Sequence, residues 1–180
     1  MDTLWAPWRM PYILETEPVP GCLFCHHARD DEDERNLIVH RGDLGFVMMN
    51  LYPYNSGHVM VVPYQHTGDF AALEPEVASG LIALSQLTVR ALGETLHPDG
   101  FNMGINQGKV AGAGIADHIH LHVVPRWNGD TNFMPVLADV KVMPDFIEST
   151  YRQLRAALAA PASAPNQPLA ETPAEMPEQS

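Results

Sequence analysis

The apolar positions of this chain fall into four short runs, two helical stripes and one strict alternation. Residues 37–40 and 44–50 read as two strands joined at Arg41-Gly42-Asp43, a hairpin. Tyr52-Pro53-Tyr54-Asn55-Ser56-Gly57 is turn material, and residues 58–63 form a buried strand ended by Pro63. From Pro75 to about Leu96 the spacing becomes helical, with Val77, Leu81, Leu84, Thr88 and Leu92 on one stripe. Pro75 suits a first turn, and His97-Pro98-Asp99-Gly100 stops the helix. Residues 101–106 are a fourth strand, and a glycine-rich loop over 107–117 leads into the alternating stretch 118–125. A second helix is predicted over 144–158, where Phe146, Ile147, Tyr151 and Leu154 share a face. Several antiparallel-style strands with two inserted helices imply an α+β domain whose sheet is covered on one side.

The alternation reads His118-Ile119-His120-Leu121-His122-Val123-Val124. Strand side chains alternate between faces, so three imidazoles line one surface while Ile119, Leu121 and Val123 enter a core. Three groups that titrate near neutrality on one strand face point to an anion or a metal there. Successive histidine Cα atoms lie about 6.6 Å apart and the outer pair about 13 Å apart. A single zinc holds its nitrogens at about 2.1 Å, so three-fold convergence on one ion is awkward and a division of roles is expected.

The chain of 180 residues suits one domain over 21–158, with an aromatic arm over 1–20 (Trp5, Pro7, Trp8, Pro11, Tyr12) and a Pro/Ala-rich, disordered tail over 159–180. A formal charge of -12 argues against a nucleic-acid polymer as partner. The run Asp30-Asp31-Glu32-Asp33-Glu34 carries part of it as a solvated loop. An anionic ligand therefore needs local positive potential from histidines, backbone N–H groups, Lys109 or Arg126. No signal-peptide core and no apolar run of membrane-spanning length occur, so the expected compartment is the cytoplasm.

Cys22-Leu23-Phe24-Cys25 holds both cysteines. Alone, such a pair reads as half a zinc site, a redox couple or two core thiols. The loop Asn106-Gln107-Gly108-Lys109-Val110-Ala111-Gly112-Ala113-Gly114 has the composition to wrap N–H groups round an anion, although any tight loop uses glycines.

The His-φ-His-φ-His-φ-φ pattern, taken with His58, Asn106 and the cysteine pair, resembles the histidine-triad (HIT) family of nucleotide hydrolases and transferases. The likeness covers about residues 3–158. It implies a HIT-like fold, a five-stranded antiparallel sheet with two helices, and a homodimer. Pro125-Arg126-Trp127 with the following Gly129-Asp130-Thr131-Asn132-Phe133-Met134-Pro135, and the arm Leu4-Trp5-Ala6-Pro7-Trp8-Arg9, look like the sub-branch of Fhit-like diadenosine polyphosphate hydrolases and phosphorylases.

By that resemblance His120 is the nucleophile, forming a nucleotidyl-imidazole at the α-phosphorus, with His122 and His58 on phosphate oxygens. A neutral imidazole attacks well if its other nitrogen donates to a fixed acceptor, such as a backbone carbonyl. Asn50 matches the ribose contact and Asn106 the α-phosphate contact; Gly112, Gly114, Lys109 and Trp127 complete the expected substrate site. Phe46 and Met48 are either walls of a base pocket or plain core. Bacterial relatives with an N-terminal cysteine pair imply a closed structural zinc site of Cys22, Cys25, His66 and His118, with His26 and His27 as competing ligands. Many relatives carry a glutamine or serine shortly before the triad; Gly114 and Ile115 supply no such side chain here.

The expected activity is hydrolysis of diadenosine tri- or tetraphosphate at the α-phosphate, with no catalytic metal needed. Phosphorolysis, in which phosphate accepts the nucleotidyl group, is the alternative, followed by phosphoramidate hydrolysis as in the Hint branch. Two rivals of another class are a metal-dependent hydrolase with His118 and His120 as ligands, and a module that binds AMP or ADP without turnover.

Overall fold

The computed structural model describes residues 21–130 and 146–159. The aromatic arm, the segment 131–145 and the tail lie outside the described residues. In chain order the elements are α1 (Leu23–Arg29), β1 (Ile38–Arg41), β2 (Gly45–Met49), β3 (Val59–Pro63), α2 (Pro75–Leu96), β4 (Gly100–Ile105), β5 (Leu121–Arg126) and α3 (Ile147–Ala159). Single 3₁₀ turns sit at Phe70–Ala72 and Lys109–Ala111.

The five strands form one antiparallel sheet in the order β1-β2-β3-β5-β4. Its five strands match expectation; α1 is an addition. Seven residues with two histidines and two cysteines in or beside them carry no periodic apolar signal, and tertiary contacts hold the helix. Arg41 reaches from β1 to its C-terminal end, donating to the carbonyls of His27, Ala28 and Asp30. The same guanidinium pairs with Asp33 at 2.8 Å, so the acidic run is tied down at that residue rather than wholly solvated.

Both faces of the central strands β2 and β3 are buried, against the expectation of a sheet covered on one side. On one face Val47, Met49, Val59, Val61, Ile119, Leu121 and Val123 pack against Val77, Leu81 and Leu92 of α2 and Tyr151, Leu154 and Leu158 of α3. On the other, Phe46, Met48, Met60 and Val62 pack with Ile38 around Phe24 of α1. Phe24 is what the one-sided reading missed. β2 and β3 are accordingly apolar at every position.

α2 has the predicted bounds, with Pro75 in its first turn and His97 in the left-handed conformation at its end. Thr88, on the buried stripe, satisfies its hydroxyl on the carbonyl of Leu84 at 2.7 Å. Tyr151 of α3 donates to the carbonyl of Ile38, fastening α3 to β1. No helix among the described residues is long and apolar enough to cross a membrane.

Candidate active site

The alternation places the histidines as expected, but the strand is shorter. β5 begins at Leu121, so His118 and His120 precede the ladder. Their backbone is held otherwise: the N–H of Ile119 donates to the carbonyl of Thr67 at 2.7 Å, in the loop after His66. Gly68 lets that loop approach, because a Cβ there would lie 2.5 Å from the carbonyl oxygen of Ala116. Ile119, Leu121 and Val123 still enter the helix-covered core, and the three rings share the opposite face with Phe24.

His120 is buried, its ring 5.0 Å from that of Phe24 and 4.9 Å from that of His122. Its Nδ1 lies 2.9 Å from the carbonyl oxygen of His118. A carbonyl can only accept, so Nδ1 carries the proton and the lone pair is on Nε2. Burial pushes the ring below the ordinary imidazole value, which keeps it neutral and nucleophilic.

His122 sits in mid-sheet, opposite Met60 on β3 and Gly104 on β4. His58, fully buried, opens β3 from the turn before it. The N–H of Tyr54 donates to Nδ1 of His58 at 3.0 Å, so the proton of His58 is on Nε2. That Nε2 is 2.9 Å from Nδ1 of His122 and donates to it. The proton of His122 therefore resides on Nε2, ready to be given to an oxygen anion. Burial, and next the neighbouring His120, push His122 down to about 4. The Tyr54 ring lies 4.6 Å from His58 and 5.8 Å from His122.

The outer histidine has another use. Nε2 of His118 donates to the carbonyl of Pro63 at 2.9 Å, which leaves Nδ1 as a ligand atom. That Nδ1 is 3.3 Å from Sγ of Cys22, 3.7 Å from Sγ of Cys25 and 3.2 Å from Nδ1 of His66, which in turn is 3.3 Å from Sγ of Cys25. Ligands at Zn–S of about 2.3 Å and Zn–N of about 2.1 Å on a tetrahedron would stand about 3.4–3.8 Å apart. The four residues thus fit a divalent metal in a closed S₂N₂ site. Burial, and then Cys22, push the Cys25 thiol up; a bound cation reverses that balance. His26 and His27 lie outside the cluster: His26 is near Asp30, and the side chain of His27 is next to Asn36. With His118 turned to the cysteines and His120 to a carbonyl, the two do not form a ligand pair.

Asn50 follows β2 and brings Nδ2 to 3.4 Å from Nδ1 of His58, while its Oδ1 accepts the N–H of Tyr52. Asn106 follows β4 and faces Gly112, where an added Cβ would stand 3.7 Å from its Nδ2. Gly108 and Gly112 both have positive φ and frame the turn carrying Lys109, which is exposed, as is Gly114. Trp127 lies past β5 with its N–H on Asp130. Arg126 is bound by the carboxylate of Asp130 at 2.5 and 2.8 Å and is not a source of free positive potential as expected from sequence. Phe46 and Met48 belong to the apolar cluster around Phe24.

Tyr54, Asn55, Asp130 and Phe24 were not singled out from sequence. Tyr54 acts through its backbone and Phe24 through packing, and neither leaves a pattern in a single sequence.

A family model described as "HIT domain" matches residues 32–129, more than half of the chain. The chain belongs to the HIT domain family. A HIT relative from Mycobacterium tuberculosis named AP-4-A phosphorylase is 39% identical over 163 residues, 86% of this chain and 83% of that protein. The crystal structure of a Zn-bound histidine triad family protein from Mycobacterium smegmatis superposes with a TM-score of 0.64 at 38% identity, covering 77% of this chain and 94% of that one. A diadenosine triphosphate hydrolase from Plasmodium falciparum shares the fold at 18% identity, with a TM-score of 0.51 over 69% of this chain and 75% of its own. This chain is a HIT enzyme.

Proposed function

We propose that the protein is a diadenosine polyphosphate phosphorylase, transferring a nucleotidyl group from the dinucleotide to inorganic phosphate. The observation that carries the reading is the pair of opposite tautomers: a lone pair on Nε2 of His120 beside a proton on Nε2 of His122. Nε2 of His120 attacks the α-phosphorus and the P–O bond to the polyphosphate breaks. The Nε2–H of His122 steadies the negative charge on the phosphate oxygens. An oxygen of phosphate then attacks the same phosphorus, a P–O bond forms as the P–N bond breaks, and the neutral imidazole is restored. With diadenosine tetraphosphate the products are ATP, then ADP. Asn50 takes the ribose, Asn106 and the loop through Lys109, Gly112 and Gly114 the phosphates, and Trp127 the outer part of the substrate.

Hydrolysis, the first reading from sequence, differs only in the acceptor. The 39% identity to a protein named as a phosphorylase favours phosphate over water. Product analysis with diadenosine tetraphosphate decides it: ADP plus ATP appearing only with phosphate supports phosphorolysis, and AMP plus ATP without phosphate overturns it.

Cys22, Cys25, His66 and His118 would hold a structural zinc, which supplies no chemistry to the transfer and ties α1 to the triad. A homodimer is supported by β4, an edge strand with Asn102, Met103 and Gly104 exposed. Sedimentation of Met103→Lys against the parent chain tests that edge.

A further inference from the structure

The donor chain from Tyr54 through His58 to His122 joins two separate pieces of backbone. His58 hangs on the turn 54–58, whereas His122 rides on β5. A hydrogen bond of 2.9 Å between the rings survives only if turn and strand keep their relative position.

One side chain spans that gap. Asn55, buried at 7% exposure, spends both hydrogens of its amide across it: one on the carbonyl of Pro125 at 3.1 Å, the other on Oδ2 of Asp130 at 2.8 Å. Pro125 is on the strand of His122, three residues along. The backbone carbonyl of Asn55 receives the N–H of His58 at 3.1 Å, so the clamp adjoins Tyr54 in sequence and is bonded directly to the backbone of His58. The turn has no slack, since Gly57 has φ +73° and a Cβ there would meet Cδ1 of Leu96 at 2.5 Å.

Asp130 is in turn fixed. Its two oxygens accept from Nε and Nη2 of Arg126, and Oδ2 also takes the N–H of Trp127. Arg126 extends the brace to Asn102 on β4, whose Oδ1 is 2.7 Å from Nη1. Arg126 also holds the Asp130 carboxyl well below the usual carboxylate range, so it remains an ionised acceptor.

We propose that Asn55 and Asp130 are positioning residues for the transfer, clamping the turn of His58 to the strand of His122 so that the proton of His122 stays on Nε2. The assignment rests on the phosphorylase reading for its effect on rate, but not for its effect on the rings. Without the clamp the Tyr54 N–H drifts from His58, either nitrogen of His58 can carry the proton, and His122 loses its fixed donor. Ground-state binding of the nucleotide, which Asn50 and Asn106 supply, is spared.

The test is Asn55→Asp, a substitution of nearly the same shape that sets a second carboxylate against Asp130. Long-range ¹H–¹⁵N spectra report the tautomers of His58 and His122, and steady-state kinetics are run with diadenosine tetraphosphate and phosphate. The expected result is mixed tautomers at both rings, with kcat reduced about 10- to 100-fold and KM within about twofold. Unchanged tautomers, or kcat within about twofold of the parent per folded molecule, overturn the assignment. If Asn55→Asp does not fold, Asp130→Asn, which retains an acceptor oxygen, is read by the same criteria. Should the parent enzyme show no turnover, the phosphorylase reading fails while the ring spectra still decide the clamp.

Discussion

The carbonyl of His118 accepts the Nδ1–H of His120 at 2.9 Å, while the ring of the same His118 faces two cysteines and His66. One residue therefore belongs to the candidate metal cluster through its side chain and to the proposed nucleophile through its backbone. The cysteine–histidine cluster and the proposed reaction centre have different chemistry but meet at His118.

His120→Gly removes the lone pair without filling its place. We expect turnover to fall at least about 10³-fold while nucleotide affinity, from calorimetry, stays within about threefold. Retained turnover would remove His120 from the nucleophile's role.

Cys22→Ser takes a thiolate from the S₂N₂ cluster. Metal analysis of the purified chain is expected to drop from roughly one zinc to near none, with a lower melting temperature, because zinc bound only by the folded state stabilises it. Zinc content equal to the parent's would place the metal elsewhere.

Phe24→Ala opens a cavity between α1 and the rings of His118 and His120. A fully buried phenylalanine is worth about 3–5 kcal/mol, to be read from urea midpoints. A cost under about 1 kcal/mol would mean that α1 is not an integral layer of the fold.

His122 has its pKa lowered to about 4, by burial and then by His120, against 6.5 for an ordinary histidine. Between these values the folded chain binds fewer protons than the unfolded one. Its contribution to stability is whole above 6.5 and is lost as the pH falls toward 4. Urea midpoints at pH 7 and pH 4.5 should differ more for the parent than for His122→Gln; equal differences would show that the ring titrates normally.

The alternation at 118–124 made the site legible because strand geometry converts a two-residue period into one shared face. The division of labour proposed for its histidines came only through resemblance. What separates them is which carbonyl or thiol each ring meets, and Pro63, His66 and Cys22 lie far away in sequence. α2 could be read residue for residue, since its apolar stripe is long and Pro75 and His97 mark its ends. α1 could not, because a seven-residue helix has too few turns to show a period. Arg126 was misread for a related reason: its partner Asp130 is four residues on, and the return of the chain after β5 leaves no pattern to read.

His122 has a ladder neighbour on each side, Met60 and Gly104. A slip of β5 by one residue would swing its imidazole into the aliphatic layer under α2, so no intermediate setting of that strand exists. If His122 handles the phosphates as proposed, that group is built into the middle strands of the sheet, and adaptation to dinucleotides of different length must be sought in the loops around it.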